Sequence, residues 1–356
     1  MSTTRTVFGI GNVLIDVVIE ATDDDLTALN LDKGIMHLVD RTRQEEILAH
    51  FSTARRTYRP GGSAPNTLLA LAGLGVPGVI SGKIGDDEFG RTYIQQVADY
   101  GITSRLIVGH GAGGNGVTGS SIILVTPDGE RTMNTHLGMC REFGAADLDE
   151  ATLRQADYLY FTGYMWDTEV QKGAIRRALD ITRETDATVA FDLADPFAVE
   201  RYRDDFLKLL EQDVDIVFAN RTEAQLLYGA DNLDTAAAEL GRHVSIAALK
   251  AGKDGSLVVH NGRTTAIPGR NITVRDTTGA GDMYAAGFLA ALARGADPVT
   301  AGQAAGWLAE AVIQQIGAQF SADEFRRLNT ELTTLFLSTP DRPASPTPPD
   351  PPTEPV

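Results

Sequence analysis

Short, almost wholly apolar runs recur along this chain, and longer segments with the spacing of amphipathic helices lie between them. The runs "TVFGIG", "GVISGKIG", "YLYFTGY", "TVAFDLA", "DIVFAN" and "IAALKAGKDGSLVVH" are strand candidates. "NTLLALAGLG", "EVQKGAIRRALDITRET" and "RDDFLKLLEQ" carry apolar residues at helical spacing, and the first of them ends at glycines. Strand–helix alternation of this kind predicts an α/β domain with a mainly parallel sheet. A chain of 356 residues, 43% hydrophobic, can bury a substantial core in one large or two modest domains.

Two stretches break the alternation. Residues 17–60 contain "VVIEATDD" and "KGIMHLVD", read as strands with polar connections. Residues 106–140 contain "GVTGSSIILVTPDGERTMNTHLG", two β-rich runs around the turn signal Pro127-Asp128-Gly129. Both are expected to combine into one small β lid on a core formed by residues 1–16, 61–105 and 141–338. The last eighteen residues, 339–356, hold eight of the fifteen prolines and are expected to be a disordered tail.

A net charge of −17 argues against nucleic acid or an anionic membrane as partner. One cysteine, Cys140, excludes an intrachain disulfide and a cysteine-cluster metal site. No apolar span of 18 residues occurs. A soluble cytoplasmic protein, monomer or homodimer, is the expectation.

The segment "DTTGAGD", Asp276 to Asp282, opens a helix with the residues least suited to one. A helix N-terminus exposes unpaired N–H groups and the positive end of the dipole. Without bulky side chains, Gly279, Ala280 and Gly281 would let an anion such as a transferring phosphoryl group reach those amides. Asp282 would then be placed to take a proton from an attacking hydroxyl. The competing reading is a glycine-rich turn that packs a helix on a sheet.

Four companions accompany it. In "RPGGSAPN", Gly61-Gly62 would be a hinge or simply a loop, and Asn66 could hydrogen-bond a polyol. In "GIGNVLID", Asn12 and Asp16 leave the first strand, and Asp16 would accept from vicinal hydroxyls or be an exposed strand-end acid. In "NRTE", after the strand "DIVFA", Asn220 and Glu223 could hold waters of a hydrated magnesium ion or form a helix cap, and both roles are compatible. In "LKAGKDGSLVV", Lys250, Gly252 and Gly255 would lie along nucleotide phosphates or form a plain hairpin.

Together these motifs resemble the ribokinase-like (PfkB-type) carbohydrate and nucleoside kinases, over residues 6–335. The resemblance implies a three-layer α/β/α core with a mainly parallel central sheet and a small β-sheet lid. It implies Asp282 as base, Gly279–Gly281 as anion hole, Asn220 and Glu223 as the pair linked to Mg2+ through water, and ATP as phosphoryl donor. Thr278 falls with the nucleotide contacts, and Asp276 with Thr278 near a site for a monovalent cation such as K+. "FGIGNVLID", "KGIMHLVD", "GGSAPN" and "TPDGERTMNTHLG" look most like the adenosine-kinase-type branch. By that resemblance the nucleoside pocket comprises Asn12, Leu14, Asp16, Met36, Leu38, Leu137, Met139 and Tyr164. A purine needs apolar walls and an aromatic face, which Met36, Leu137, Met139 and Tyr164 would supply unless they are ordinary core hydrophobes. The expected partner is a small-molecule nucleoside, or a sugar such as ribose, fructose or 2-keto-3-deoxygluconate, with a non-catalytic nucleoside sensor as the third reading.

Residues 111–116 satisfy G-x-G-x-x-G but precede a β run, so they fail the context a dinucleotide motif needs. No P-loop motif occurs, and the six histidines show no metal spacing. His136 is of interest because it falls in the lid hairpin.

Overall fold

The computed structural model describes residues 5–111 and 116–337. Its strands are β1 (Val7–Ile10), β2 (Leu14–Glu20), β3 (Met36–Leu38), β4 (Thr57–Gly61), β5 (Gly78–Gly85), β6 (Thr103–Gly109), β7 (Gly119–Val125), β8 (Arg131–His136), β9 (Tyr158–Thr162), β10 (Thr188–Asp192), β11 (Ile216–Asn220), β12 (Ile246–Lys250), β13 (Ser256–His260) and β14 (Arg263–Ile267). Its helices are α1 (Asp23–Ala28), α2 (Arg41–His50), α3 (Ser63–Gly73), α4 (Glu88–Ala98), α5 (Glu150–Leu153), α6 (Glu169–Arg183), α7 (Pro196–Gln212), α8 (Arg221–Tyr228), α9 (Leu233–His243), α10 (Ala280–Ala293), α11 (Pro298–Val312) and α12 (Ala322–Leu332).

Nine strands form the larger sheet in the order β14-β13-β12-β11-β10-β9-β1-β5-β6. From β12 to β6 all pairings are parallel, and β13 and β14 close one end antiparallel. The central strands β1, β9 and β10 are buried nearly throughout, as strands covered by helices on both faces must be. One apolar cluster joins β1 and β9 to α3 and α10; another joins the opposite face to α6, α7 and α9.

The composition of α10 explains its place. Met283 to Ala291 are all buried, so no face is left for polar residues. A Cβ on Gly287 would stand 2.9 Å from the Ala305 Cα, so a glycine is what lets α10 lie close against α11. Met283 packs inward with no exposed surface.

The smaller sheet has the order β3-β8-β7-β2-β4. The β7–β8 hairpin turns at Pro127–Gly129, with Gly129 at φ +85° and its N–H donating to Thr126 O at 2.8 Å. Two boundaries expected from the sequence shift here. Residues 106–109 are the end of β6 and pair with β5 in the larger sheet. Leu14, Ile15 and Asp16 open β2, and Gly61 closes β4, so all four belong to the smaller sheet. The polar connections in residues 17–60 include two helices: Thr22 and Asp25 form a capping box that starts α1, and Asp40 caps α2. Leu26 and Ile47 of these helices, with Leu29 and Phe51 directly after them, cluster with Ile15, Val17 and Ile19 of β2. The proline-rich 339–356 and most of the 111–116 glycine run lie outside the described residues.

Candidate active site

Each helix start and strand end near "DTTGAGD" puts a polar group where two layers meet. Gly279 is the N-cap of α10 at φ +77°, a left-handed conformation that an L side chain resists. A Cβ there would also lie 2.7 Å from the Cα and O of Ala318. Ala280 and Gly281 follow as the first helical residues, and the nearest atom to a Cβ on Gly281 would be Lys250 Nζ at 3.3 Å. The first turn of α10 is therefore bare on the side that faces a lysine ammonium.

Asp282 stands in that turn and keeps part of its surface open. Its Oδ1 accepts from Ser63 Oγ at 2.7 Å and its Oδ2 from Asn66 Nδ2 at 2.9 Å. Burial raises its pKa to about 6, against the lowering effect of those two hydrogen bonds, with Asp192 raising and Lys250 lowering it further. Both donors come from α3, which begins one residue after β4; Gly62, at φ +97°, is the N-cap between them. Gly61 and Gly62 thus join the smaller sheet to the helix that holds the acid. A Cβ on Gly61 would collide with the Asp16 carboxylate, so this glycine makes room for Asp16.

Asp16 pairs across the sheet with Arg59 of β4. Burial raises its pKa to about 7; Arg131 lowers it, Asp282 raises it and Arg59 lowers it. With Arg59, Arg131, Thr278 and Gly317 it lines a cavity of about 80 Å³ between the smaller sheet and the loops at Thr278 and Gly317. Arg131 crosses from β8 to pair with Asp276 at 2.6 Å. Asp276 also accepts from the Gly317 N–H at 2.6 Å and from Thr278 N and Oγ1 at 3.0 and 2.7 Å. An arginine and three further donors fill this carboxylate, so Asp276 and Thr278 as arranged do not fit a monovalent cation.

Asn220 and Glu223 do form a capping box: Asn220 Oδ1 accepts from Glu223 N at 2.9 Å, and Glu223 Oε2 from Asn220 N at 2.7 Å. Glu223 is only 2% exposed, and burial raises its pKa to about 7; Lys250 lowers it and Asp192 raises it. Asn220 Nδ2 also donates to Glu223 Oε1 at 2.6 Å, so both carboxylate oxygens are engaged; their remaining lone pairs would accept from the waters of a hydrated magnesium ion rather than ligate the metal directly. Lys250 Nζ bridges both oxygens of Asp192 at 3.3 and 3.1 Å. Burial would lower the lysine's pKa, but Asp192 and Glu223 outweigh it and the pKa stands raised. Gly252 (φ +62°) and Gly255 (φ +92°) form the turn to β13, and a Cβ on Gly255 would strike the Ile267 carbonyl.

The expected apolar pocket is divided. Leu38, Leu137 and Met139, with His136, line a cavity of about 860 Å³. Met36, on the edge strand β3, is 40% exposed and does not line it. Leu14 is half-buried and packs where Gly119 has no side chain. Asn12 is not free: its Oδ1 accepts from Gln171 Nε2 at 2.7 Å, and its Nδ2 donates to Tyr164 O at 3.4 Å. Tyr164 OH donates at 3.3 Å to the Ala194 carbonyl and to Asp195. Asp282 lines neither cavity.

The sequence reading missed Ser63, Asp192, Arg59, Arg131 and Gln319. Ser63 sits inside a motif already singled out, and Asp192 at the end of a recognised strand, where ligands of open sheets gather. Arg131 lies in the recognised hairpin and Arg59 opens the segment "RPGGSAPN"; Gln319 carries no local signal.

Comparison with known proteins agrees with this fold. The family model described as pfkB family carbohydrate kinase matches residues 34–324. The chain is similar to the solved adenosine kinase from Sinorhizobium meliloti at 35% identity, covering 91% of this chain and 99% of that one with a TM-score of 0.81. A probable sugar kinase from Rhizobium etli matches at 33% identity, 93% and 99% coverage and a TM-score of 0.82. The adenosine kinase of Saccharomyces cerevisiae is 27% identical over 335 residues, 88% of this chain and 96% of the yeast protein. The architecture is the ribokinase-like α/β fold. Among the described residues, no helix is long and apolar enough to cross a membrane.

Proposed function

Since the chain belongs to the pfkB family of carbohydrate kinases, we propose that it transfers the γ-phosphoryl group of ATP to the 5′-hydroxyl of a purine nucleoside, adenosine first among them. The family and the adenosine kinase relatives support a nucleoside or sugar kinase. The observation that carries the reading is the placement of Asp282 directly after Gly279–Gly281, held by Ser63 and Asn66.

In this reading the acceptor hydroxyl gives its proton to the Asp282 carboxylate as its oxygen bonds to phosphorus and the bond to the ADP oxygen breaks. The amides at the start of α10 face the transferring group, and Lys250 beside Gly281 adds positive charge. Thr278 precedes the anion hole, and the β12–β13 turn with Gly252 and Gly255 borders the nucleotide. Asn220 and Glu223 would hold magnesium through water, and the ion would neutralise phosphate charge. Asp16 would accept from ribose hydroxyls beside the hinge glycines Gly61 and Gly62. Closure of the smaller sheet over the site would exclude water and suppress ATP hydrolysis.

The purine is supported by similarity to adenosine kinases and by the cavity lined by Leu38, Leu137 and Met139. The Rhizobium etli relative favours a sugar as second reading. Coupled ATP-consumption assays on a panel of nucleosides and free sugars test the choice. Adenosine should have the highest kcat/KM. Turnover of a sugar with none of any nucleoside overturns the nucleoside reading, and no turnover of either overturns the kinase.

A further inference from the structure

We propose that Gln319 is a positioning residue that fixes which end of the Asn66 side chain faces Asp282. The proposal rests on the reading of Asp282 as the base. An asparagine amide is nearly symmetric in shape, with an acceptor on one side and a donor on the other. A half-turn of Asn66 would replace the N–H donated to Asp282 by a carbonyl oxygen facing a carboxylate. Whatever lies on the far side of Asn66 decides between the two.

On the far side is Gln319. Its Nε2 donates to Asn66 Oδ1 at 2.8 Å and to the Asn66 backbone carbonyl at 3.2 Å. The backbone carbonyl can only accept, so it selects the nitrogen end of Gln319. That nitrogen can only donate, so it selects the oxygen end of Asn66 and leaves Nδ2 for Asp282 at 2.9 Å. The glutamine Oε1 is buried without a hydrogen-bond partner, so its orientation is set by the Asn66 contacts alone. Gln319 is itself tethered, since its backbone carbonyl accepts from Gln315 Nε2 at 3.0 Å.

The strap around Gln319 touches each part of the site. The Gly317 N–H donates to Asp276, Ala318 abuts Gly279, and Gln319 reaches Asn66. Asp282 otherwise faces Ser63 of α3, Asp16 of β2, Tyr160 of β9, Tyr164, Asp192 of β10 and Lys250 of β12. Of these only Ser63 donates a hydrogen bond to the Asp282 side chain. Losing the Asn66 N–H would therefore remove one of its two donors and make its ionised form harder to keep.

The test compares Gln319→Met, which has the same length and no donor, with Gln319→Glu, which offers only acceptors to Asn66. In Gln319→Glu the kcat at pH 7 should fall about tenfold, and the acid limb of the kcat/KM profile should rise by about one pH unit. Gln319→Met should move both in the same direction by less, with KM for ATP unchanged in either. On an Asn66→Ala background neither change should move the limb further. An acid limb that stays at the wild-type position in Gln319→Met and Gln319→Glu overturns the proposal, as does a full shift in the absence of Asn66. If Gln319→Glu does not fold, Gln319→Met with its Asn66→Ala pair decides alone. Asp282→Asn separates the two layers: turnover retained there overturns the base itself, whereas loss there with unmoved Gln319 profiles overturns only the relay.

Discussion

Arg131 of the smaller sheet and Asp276, six residues ahead of Asp282, form an ion pair at 2.6 Å with side chains only 10% and 5% exposed. The pair ties β8 to the loop that leads into the N-terminus of α10. Burying two charges is compensated only while both are present. Arg131→Met should lower the unfolding free energy by about 3 kcal/mol, and Arg131→Met with Asp276→Asn should recover much of it. Urea titrations of the four proteins measure this, and a double variant no better than the single one contradicts it.

Removing the carboxylate charge at the centre should stop chemistry without emptying the site. Asp282→Asn should lower kcat by about 10²- to 10⁴-fold while ATP affinity, followed by calorimetry, stays near wild type. Because the Asp282 pKa is raised to about 6, wild-type kcat/KM should fall as pH drops through 6 and level off above 7. An activity that is flat from pH 5 to 8 does not fit a base with that pKa.

The same raised pKa values carry a cost in stability with a defined sign. Asp16, Glu223 and Asp282 hold protons up to about pH 7, 7 and 6, whereas their unperturbed values are 3.8, 4.5 and 3.8. Between pH 4 and 7 the folded chain therefore binds more protons than the unfolded one at these sites, and their contribution falls as pH rises. Asp282→Asn should melt above wild type at pH 8, with the gap closing at pH 4. A gap independent of pH argues against the burial of that charge.

The two glycines of the motif should fail differently. Gly279→Ala meets both a positive φ and the Ala318 backbone, so it should destabilise the fold by more than about 1 kcal/mol. Gly281→Ala meets only the tip of Lys250, a flexible neighbour, and should fold normally. Its methyl group would still obstruct the bare turn, so kcat should drop. Thermal melts beside kinetics separate the two; equal stability losses do not fit this account.

Glu223 combines a cap with a carboxylate of raised pKa. Glu223→Gln keeps its shape and removes the charge, and it should raise the magnesium concentration needed for half-maximal rate several-fold. A magnesium titration that superimposes on wild type removes the ion from this residue's duties.

Much of this arrangement is legible before folding, because strand ends and helix starts announce themselves locally. "DTTGAGD", "GGSAPN" and "NRTE" each carry their own turn chemistry, and the mainly parallel sheet follows from the alternation around them. What stays hidden depends on layers meeting at distances of many residues. Lys250 looked like part of a turn and in fact reaches Asp192 on another strand. Met36 reads as a pocket wall but falls on the edge strand β3, 40% exposed and outside the cavity that Leu38 of the same strand lines. Asn12, although polar and close to the first strand, is spent on Gln171. The start of β2 at Leu14 moved Asp16 from one sheet to the other, because three residues of connection suffice to change layers.

The chain passes from β4 to α3 through Gly62 alone. A one-residue joint leaves no slack, so a tilt of the smaller sheet pulls directly on the turn bearing Ser63 and Asn66. If the smaller sheet closes as proposed, priming the proton acceptor and shutting the compartment would be one mechanical event, carried by a single backbone swivel.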